Sequence, residues 1–157
     1  MRSNAPANVA GVLSRLARTP GMDVVRGLAV LRGKKEKYVA LMRMFATSHA
    51  DDMARLRGHV ACGERADAHR IAHTLKGLAA TMGAQALAAA ARVLEQALHD
   101  DATAIDDERL RELTDAVDRL LQPLVAATLA DELGGELGGE LGREAGNAGK
   151  LGASLDA

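Results

Sequence analysis

Aromatic residues are nearly missing from this chain. Among 157 residues there is one Tyr (Tyr38), one Phe (Phe45) and no Trp. The core must therefore be aliphatic, built from Leu, Ala, Val and Met, and all of these except Val favour helices. The same scarcity leaves no stacking platform for single-stranded nucleic acid. Charge of one sign is lacking too: the formal net charge is −1, which argues against a general DNA-binding surface. Cys62 stands alone, so no disulfide framework can form within one chain, as suits a reducing compartment. No apolar run approaches the ~20 residues that span a bilayer. Met1 to Pro20 lacks the continuous hydrophobic stretch of a secretory signal. A cytoplasmic chain without direct membrane contact is expected, either on its own or as the cytoplasmic end of a membrane-anchored protein.

What is present is helical periodicity, and no strand-like alternation accompanies it. Val9, Val12, Leu13 and Leu16 mark a short helix over Ala7 to Arg18, stopped by Thr19-Pro20-Gly21. Asp23 is a good N-cap for a second short helix ending at Leu31, before Gly33. Tyr38, Leu41, Met42, Phe45, Met53, Leu56 and Val60 form the stripe of a long helix from Lys34 to Ala61, with His49 in a gap of that stripe. The next helix runs from Glu64 to Met82 and stops at Gly83. Another runs from Gln85 to His99, with Leu87, Ala91, Leu94 and Leu98 on one face. After a polar break at Asp100 to Thr103, Asp106 opens a last helix with Leu110, Leu113, Val117, Leu120 and Leu121 inward. Pro123 is expected to kink or interrupt it.

The predicted fold is all-α: an antiparallel four-helix bundle with short additional N-terminal helices. Residues 1–19 read as an N-terminal extension or short helix and 20–130 as the domain. Residues 131–157, with Glu-Leu-Gly-Gly at 132–135 and again at 136–139, read as a low-complexity, disordered tail.

The informative segment is Ala72-His73-Thr74-Leu75-Lys76-Gly77, followed by Gly83. On a helical wheel Ala68, Ile71, Leu75, Leu78 and Met82 share the core side, and His73 lies opposite Leu75. Lys76 and Gly77, at i+3 and i+4, share its face, as do His69 and Arg70 one turn earlier. An exposed neutral imidazole is a nucleophile that a partner's active site can reach. Lys76 and Arg70 can offset the charge of a phosphoryl group placed on it. Gly77 clears space for a close approach, which explains a helix-interior Gly costing ~0.5–1 kcal/mol relative to Ala.

These residues resemble the histidine phosphotransfer (HPt) family, whose hallmark is His-x-Leu-Lys-Gly with a Gly six residues further on. Here that is His73, Leu75, Lys76, Gly77 and Gly83. The likeness extends over residues 20–121: Pro20-Gly21-Met22-Asp23 at the entry, Tyr38, Leu41 and Phe45 on the long helix, and Leu87, Ala91, Leu94 and Glu95 after the site. It is similar to domains that end bacterial hybrid sensor kinases or stand alone in phosphorelays. The resemblance implies that His73 accepts a phosphoryl group from a receiver-domain aspartate and passes it to a second receiver. Magnesium is then expected in the receiver, with no cofactor in this chain, which is expected to be a monomer. Family members can carry Gln where this chain has Glu95. A carboxylate there repels phosphate but accepts a proton from the far imidazole nitrogen, so Glu95 is expected to orient the ring.

Blander readings compete. His69 and His73 form an i, i+4 pair, a possible metal edge, but the Glu of a His-Glu-x-x-His zinc helix is missing, and no metal is expected. His49 and His59 read as structural, the Met residues as core fillers, and Arg65 and Arg70 as a solvated face, with Arg70 also a candidate to assist the phosphate. No nucleotide-binding pattern is present: Arg32-Gly33-Lys34 lacks the spacing of a phosphate loop. The chain is therefore expected to be no kinase. The rival from another class is a non-phosphorylated helical adaptor that binds a signalling partner, and such an adaptor would not need His73.

Overall fold

The computed structural model describes residues 8–100 and 105–148, without the side chains of 133–148. Among the described residues seven helices follow one another: α1 (Val9–Arg18), α2 (Val24–Val30), α3 (Lys35–His49), α4 (Asp52–Ala61), α5 (Arg65–Thr81), α6 (Gln85–His99) and α7 (Asp107–Ala148). Among the described residues there is no strand, only an isolated bridge between Met22 and Ala84. The bundle is formed by α3 with α4, then α5, α6 and α7, and α1 and α2 pack on one end of it. No described helix is long and apolar enough to cross a membrane.

The predicted long helix over 34–61 is two helices. His49 Nδ1 lies 2.7 Å from the buried carboxylate of Asp52, and the freed carbonyl of Ala50 takes a 2.9 Å hydrogen bond from Gln122 Nε2 of α7. The Gln122 amide thus replaces one backbone bond lost at the break, and the His49–Asp52 pair spans it. Arg57 of α4 meets Asp115 and Asp118, and Arg43 of α3 meets Glu132, so α7 runs antiparallel to both.

Two further expectations change. Pro123 does not interrupt α7. Its ring sits on an exposed face, where water can serve the Arg119 carbonyl that the missing N–H leaves free. The helix also continues to Ala148, through the Gly-rich repeats read as disordered, because extending a formed helix adds one hydrogen bond per residue fixed. Residues 149–157 of the expected tail, residues 1–7 and 101–103 of the expected break lie outside the described residues.

The core is aliphatic. Leu16, Met42, Met53, Leu56, Leu75, Leu94 and Leu121 are fully buried, with Tyr38 among them. Val12 and Leu16 belong to this core, so residues 9–18 form the short helix, one of the two readings of the N-terminal segment, packed on the bundle. Leu78, expected inward, is 37 % exposed; Ala72 and Ala79 are buried in its place, because the buried face of α5 centres on Ala68, Ala72, Leu75 and Ala79.

The turn between α5 and α6 is fixed from both sides. Gly83 ends α5 at φ +83°, and the Ala84 N–H reaches back to the Ala79 carbonyl at 2.9 Å, closing the last turn. The Gly83 carbonyl then accepts from the Asp23 N–H at 2.7 Å. The Tyr38 hydroxyl donates to the Met82 carbonyl at 2.8 Å, and burial, with Asp23 nearby, pushes its pKa up to about 12. Helix α3 and the α1–α2 junction therefore both hold the end of the helix that carries His73.

Candidate functional site

Helices α5 and α6 pair antiparallel, and on their outer side the seam runs in register. His73 faces Glu95, and one turn along, the His69 ring lies 5.5 Å from that of His99. His69 and His73 stack nearly parallel at 6.3 Å between centroids. Arg65 anchors the far end of the seam: its guanidinium donates to the Ala97 and Leu98 carbonyls at the last turn of α6. It is a helix cap and not the solvated side chain expected from sequence.

Glu95 is the hub. Its side chain is 13 % exposed, whereas that of His73 is 63 % exposed. Glu95 Oε1 lies 2.5 Å from His73 Nδ1, and Oε2 accepts from Lys76 Nζ at 2.5 Å. His69 Nε2 stands 3.9 Å from Oε1. The Lys76 hydrogen bond, followed by that of His73, holds the Glu95 pKa below its ordinary value despite the opposing effect of burial. An ionised carboxylate only accepts hydrogen bonds, so Nδ1 must be the donor. The neutral ring then keeps its lone pair on Nε2. A carboxylate on the far nitrogen fixes the tautomer and the orientation of the ring.

The remaining sequence candidates fall around this hub. Lys76 shares the His73 face, but its ammonium is engaged by Glu95. Arg70 points away, paired with Asp67, and is 74 % exposed. A Cβ added to Gly77 would meet nothing within 4 Å, so this glycine is no helix–helix contact and opens onto solvent. It borders a groove of about 400 Å³ lined by Lys76, Ala80, Gln85, Ala88 and Arg92. Gly83 is the opposite case: a Cβ there would stand 2.1 Å from the Asp23 carbonyl oxygen. The Gly six residues after Gly77 thus serves the fold, while Gly77 leaves the surface bare.

Two residues at this seam were not singled out from sequence as neighbours of the site, His99 and Arg92. The sequence signal was the i, i+4 spacing of Glu95 and His99, which mirrors that of His69 and His73. Elsewhere, His59 Nδ1 meets Glu64 Oε2 at 2.5 Å, with Asp67 close by, at the junction of α4 and α5. A family model described as Hpt domain matches residues 40–123, from α3 into α7 and across the whole seam. The curated proteins and the solved structures give no match.

Proposed function

The chain belongs to the Hpt domain family, and from that premise we propose that it is a phosphorelay intermediate whose carrier is His73. The observation that carries this reading is the His73–Glu95 pair: an exposed ring whose Nδ1 is held by a carboxylate, with Nε2 turned outward. The Nε2 lone pair attacks the phosphorus of a receiver's aspartyl phosphate. The acyl P–O bond breaks, the aspartate leaves as carboxylate, and a P–N bond remains on His73. The ring gains positive character in this step, and Glu95 stabilises it through the shared Nδ1 proton. In the second transfer a receiver aspartate attacks the phosphorus, the P–N bond breaks and the lone pair returns to Nε2.

Lys76 has a role beyond direct phosphate binding. Its charge cancels that of Glu95, so the carboxylate orients the ring without repelling the incoming phosphoryl group. Arg70, exposed and flexible, can leave Asp67 for the phosphoryl oxygens. The groove beside Gly77 is floored by small residues and flanked by Lys76 and Arg92, which suits an acidic receiver surface. Magnesium belongs to the receiver, and this domain, spanning residues 20–130 together with α1, works as a monomer.

The test is reconstitution with two receivers. Label on the first receiver is expected to reach the second only when this chain is present. Equal labelling of the second receiver with His73→Gln, or without the chain, would overturn the reading and favour a non-phosphorylated adaptor.

A further inference from the structure

A second cluster of ligating groups lies outside the phosphotransfer seam, where α4 turns into α5. The backbone of this turn is closed. Gly63 stands at φ +76°, its N–H donates to the Val60 carbonyl at 3.0 Å, and the Glu64 N–H donates to the His59 carbonyl at 2.8 Å. That closure sets His59, on the last turn of α4, beside the start of α5. Glu64 holds the N-cap position of α5 with no capping bond from its side chain, and Asp67 lies in the first turn. One ligand atom from each of the three residues lies within 4.8 Å of the other two, and His59 Nδ1 and Glu64 Oε2 stand at 2.5 Å. A structural histidine would be packed into the core. The His59 side chain is 30 % exposed, and that of Glu64 52 %.

We infer that this junction binds a zinc-class dication through His59, Glu64 and Asp67, and that binding takes Asp67 away from Arg70. Zinc accepts imidazole nitrogen and carboxylate oxygen at ~2.0–2.2 Å, so neighbouring donors stand about 3–3.5 Å apart. Small rotations of exposed side chains reach that spacing without moving either helix. His59 and Glu64 open as the ion takes the place of the hydrogen between them, and Asp67 closes on them. Water completes the coordination, because all three side chains reach solvent. Two carboxylates balance the charge of a dication, and the imidazole favours a zinc-class ion over magnesium, which prefers oxygen ligands. Arg65, next to Glu64, does not compete: its guanidinium is engaged by the Ala97 and Leu98 carbonyls. The competing cation is Arg70, paired with Asp67.

The consequence for phosphotransfer rests on His73 being the phosphoryl carrier. Arg70 lies three residues before His73 on the same face of α5. A dication on Asp67 repels the guanidinium and replaces it, so Arg70 is free for the phosphoryl oxygens on His73. The ion then acts on the phosphohistidine without touching it.

The experiment is zinc titration of the full chain by calorimetry, with imidazole NMR. The proteins are wild type, His59→Ala, Asp67→Asn, Arg70→Gln and His69→Ala/His99→Ala. Wild type is expected to bind one zinc ion, with the largest shift at the His59 ring and no competition from millimolar magnesium. His59→Ala and Asp67→Asn should each lose at least about tenfold in affinity. Arg70→Gln, which lacks the competing cation, should bind more tightly, and the seam double variant should bind as wild type does. Zinc should lengthen the lifetime of phosphoryl label on wild type and leave it unchanged on Arg70→Gln. Absence of stoichiometric binding, full affinity in His59→Ala or Asp67→Asn, or loss of binding in the seam double variant would overturn the site. Wild-type affinity in Arg70→Gln, or a label lifetime that zinc does not change in wild type, would overturn the displacement of Arg70. Label that never reaches His73, with or without zinc, would sink the carrier reading, and the calorimetry and NMR would still decide the metal site.

Discussion

Lys76 Nζ lies 2.5 Å from Glu95 Oε2, so a cation on the His73 face serves the carboxylate that holds the ring. Removing it frees the carboxylate to protonate. Glu95 is ionised more readily than an ordinary Glu chiefly because of Lys76. In Lys76→Met its pKa rises while burial still opposes the charge. A pH titration of the Glu95 carboxyl by NMR is therefore expected to give a higher pKa in the variant than in wild type. An unshifted titration would mean that Lys76 does not set the state of Glu95. The linkage to stability has the same origin. A carboxyl group with a depressed folded pKa stabilises the fold above its unfolded value, about 4.3. That contribution fades as pH falls through the folded pKa. Wild type and Lys76→Met should thus differ most in melting temperature near neutrality and converge in acid.

Substitution of Glu95 separates the hydrogen bond from the charge. Glu95→Gln keeps an acceptor for His73 Nδ1–H and loses the charge assistance, a difference of about 1 kcal/mol, or roughly fivefold in rate. Glu95→Ala loses both and should be slower again. Single-turnover transfer from a phosphorylated receiver measures the order. Equal rates in all three proteins would remove Glu95 from the chemistry.

Gly77 and Gly83 should respond in opposite ways. Gly77→Ala meets open space and restricts the unfolded chain, so the fold should gain about 0.4–1 kcal/mol. Gly83→Ala puts a Cβ on the Asp23 carbonyl at φ +83° and should cost at least about 2 kcal/mol. Thermal melts check both signs. Gly77→Gln should fold normally and transfer poorly, because its side chain enters the space a receiver needs. Full transfer by a stable Gly77→Gln would take Gly77 out of the docking surface.

Much of this architecture was legible in the sequence. Helix periodicity and caps matched five of the described helices one for one and merged α3 with α4, and His73 opposite Leu75 put the ring in solvent. The interruption at Ala50 was not legible, because it depends on Gln122, 72 residues away. Arg65 was misread for the same reason: its partners are carbonyls of another helix. The engagement of Lys76 by Glu95 was hidden as well. Spacing along α5 shows which residues share the His73 face, and only the register of α6 shows which of them is already paired.

The tail separates local from tertiary helix. The last described side chains of α7 that reach the bundle are Asp131, paired with Arg15, and Glu132, paired with Arg43. Deleting 133–157 should leave melting temperature and transfer unchanged. Deleting from Ala127 also removes buried Thr128 and the carbonyl that Arg15 Nε holds, and should cost about 1–3 kcal/mol. A large loss from the shorter deletion would assign the Gly-rich repeats a structural role.

The most direct test of the phosphoryl-carrier reading is the position of the phosphorus. The chain, labelled with nitrogen-15 in its histidines, is phosphorylated by a receiver, and phosphorus–nitrogen coupling is read by NMR. The account expects one acid-labile phosphoramidate, on His73 Nε2, which disappears in His73→Gln while the helical spectrum is unchanged. Phosphorus on His69 or His99, or on His73 Nδ1, would contradict it.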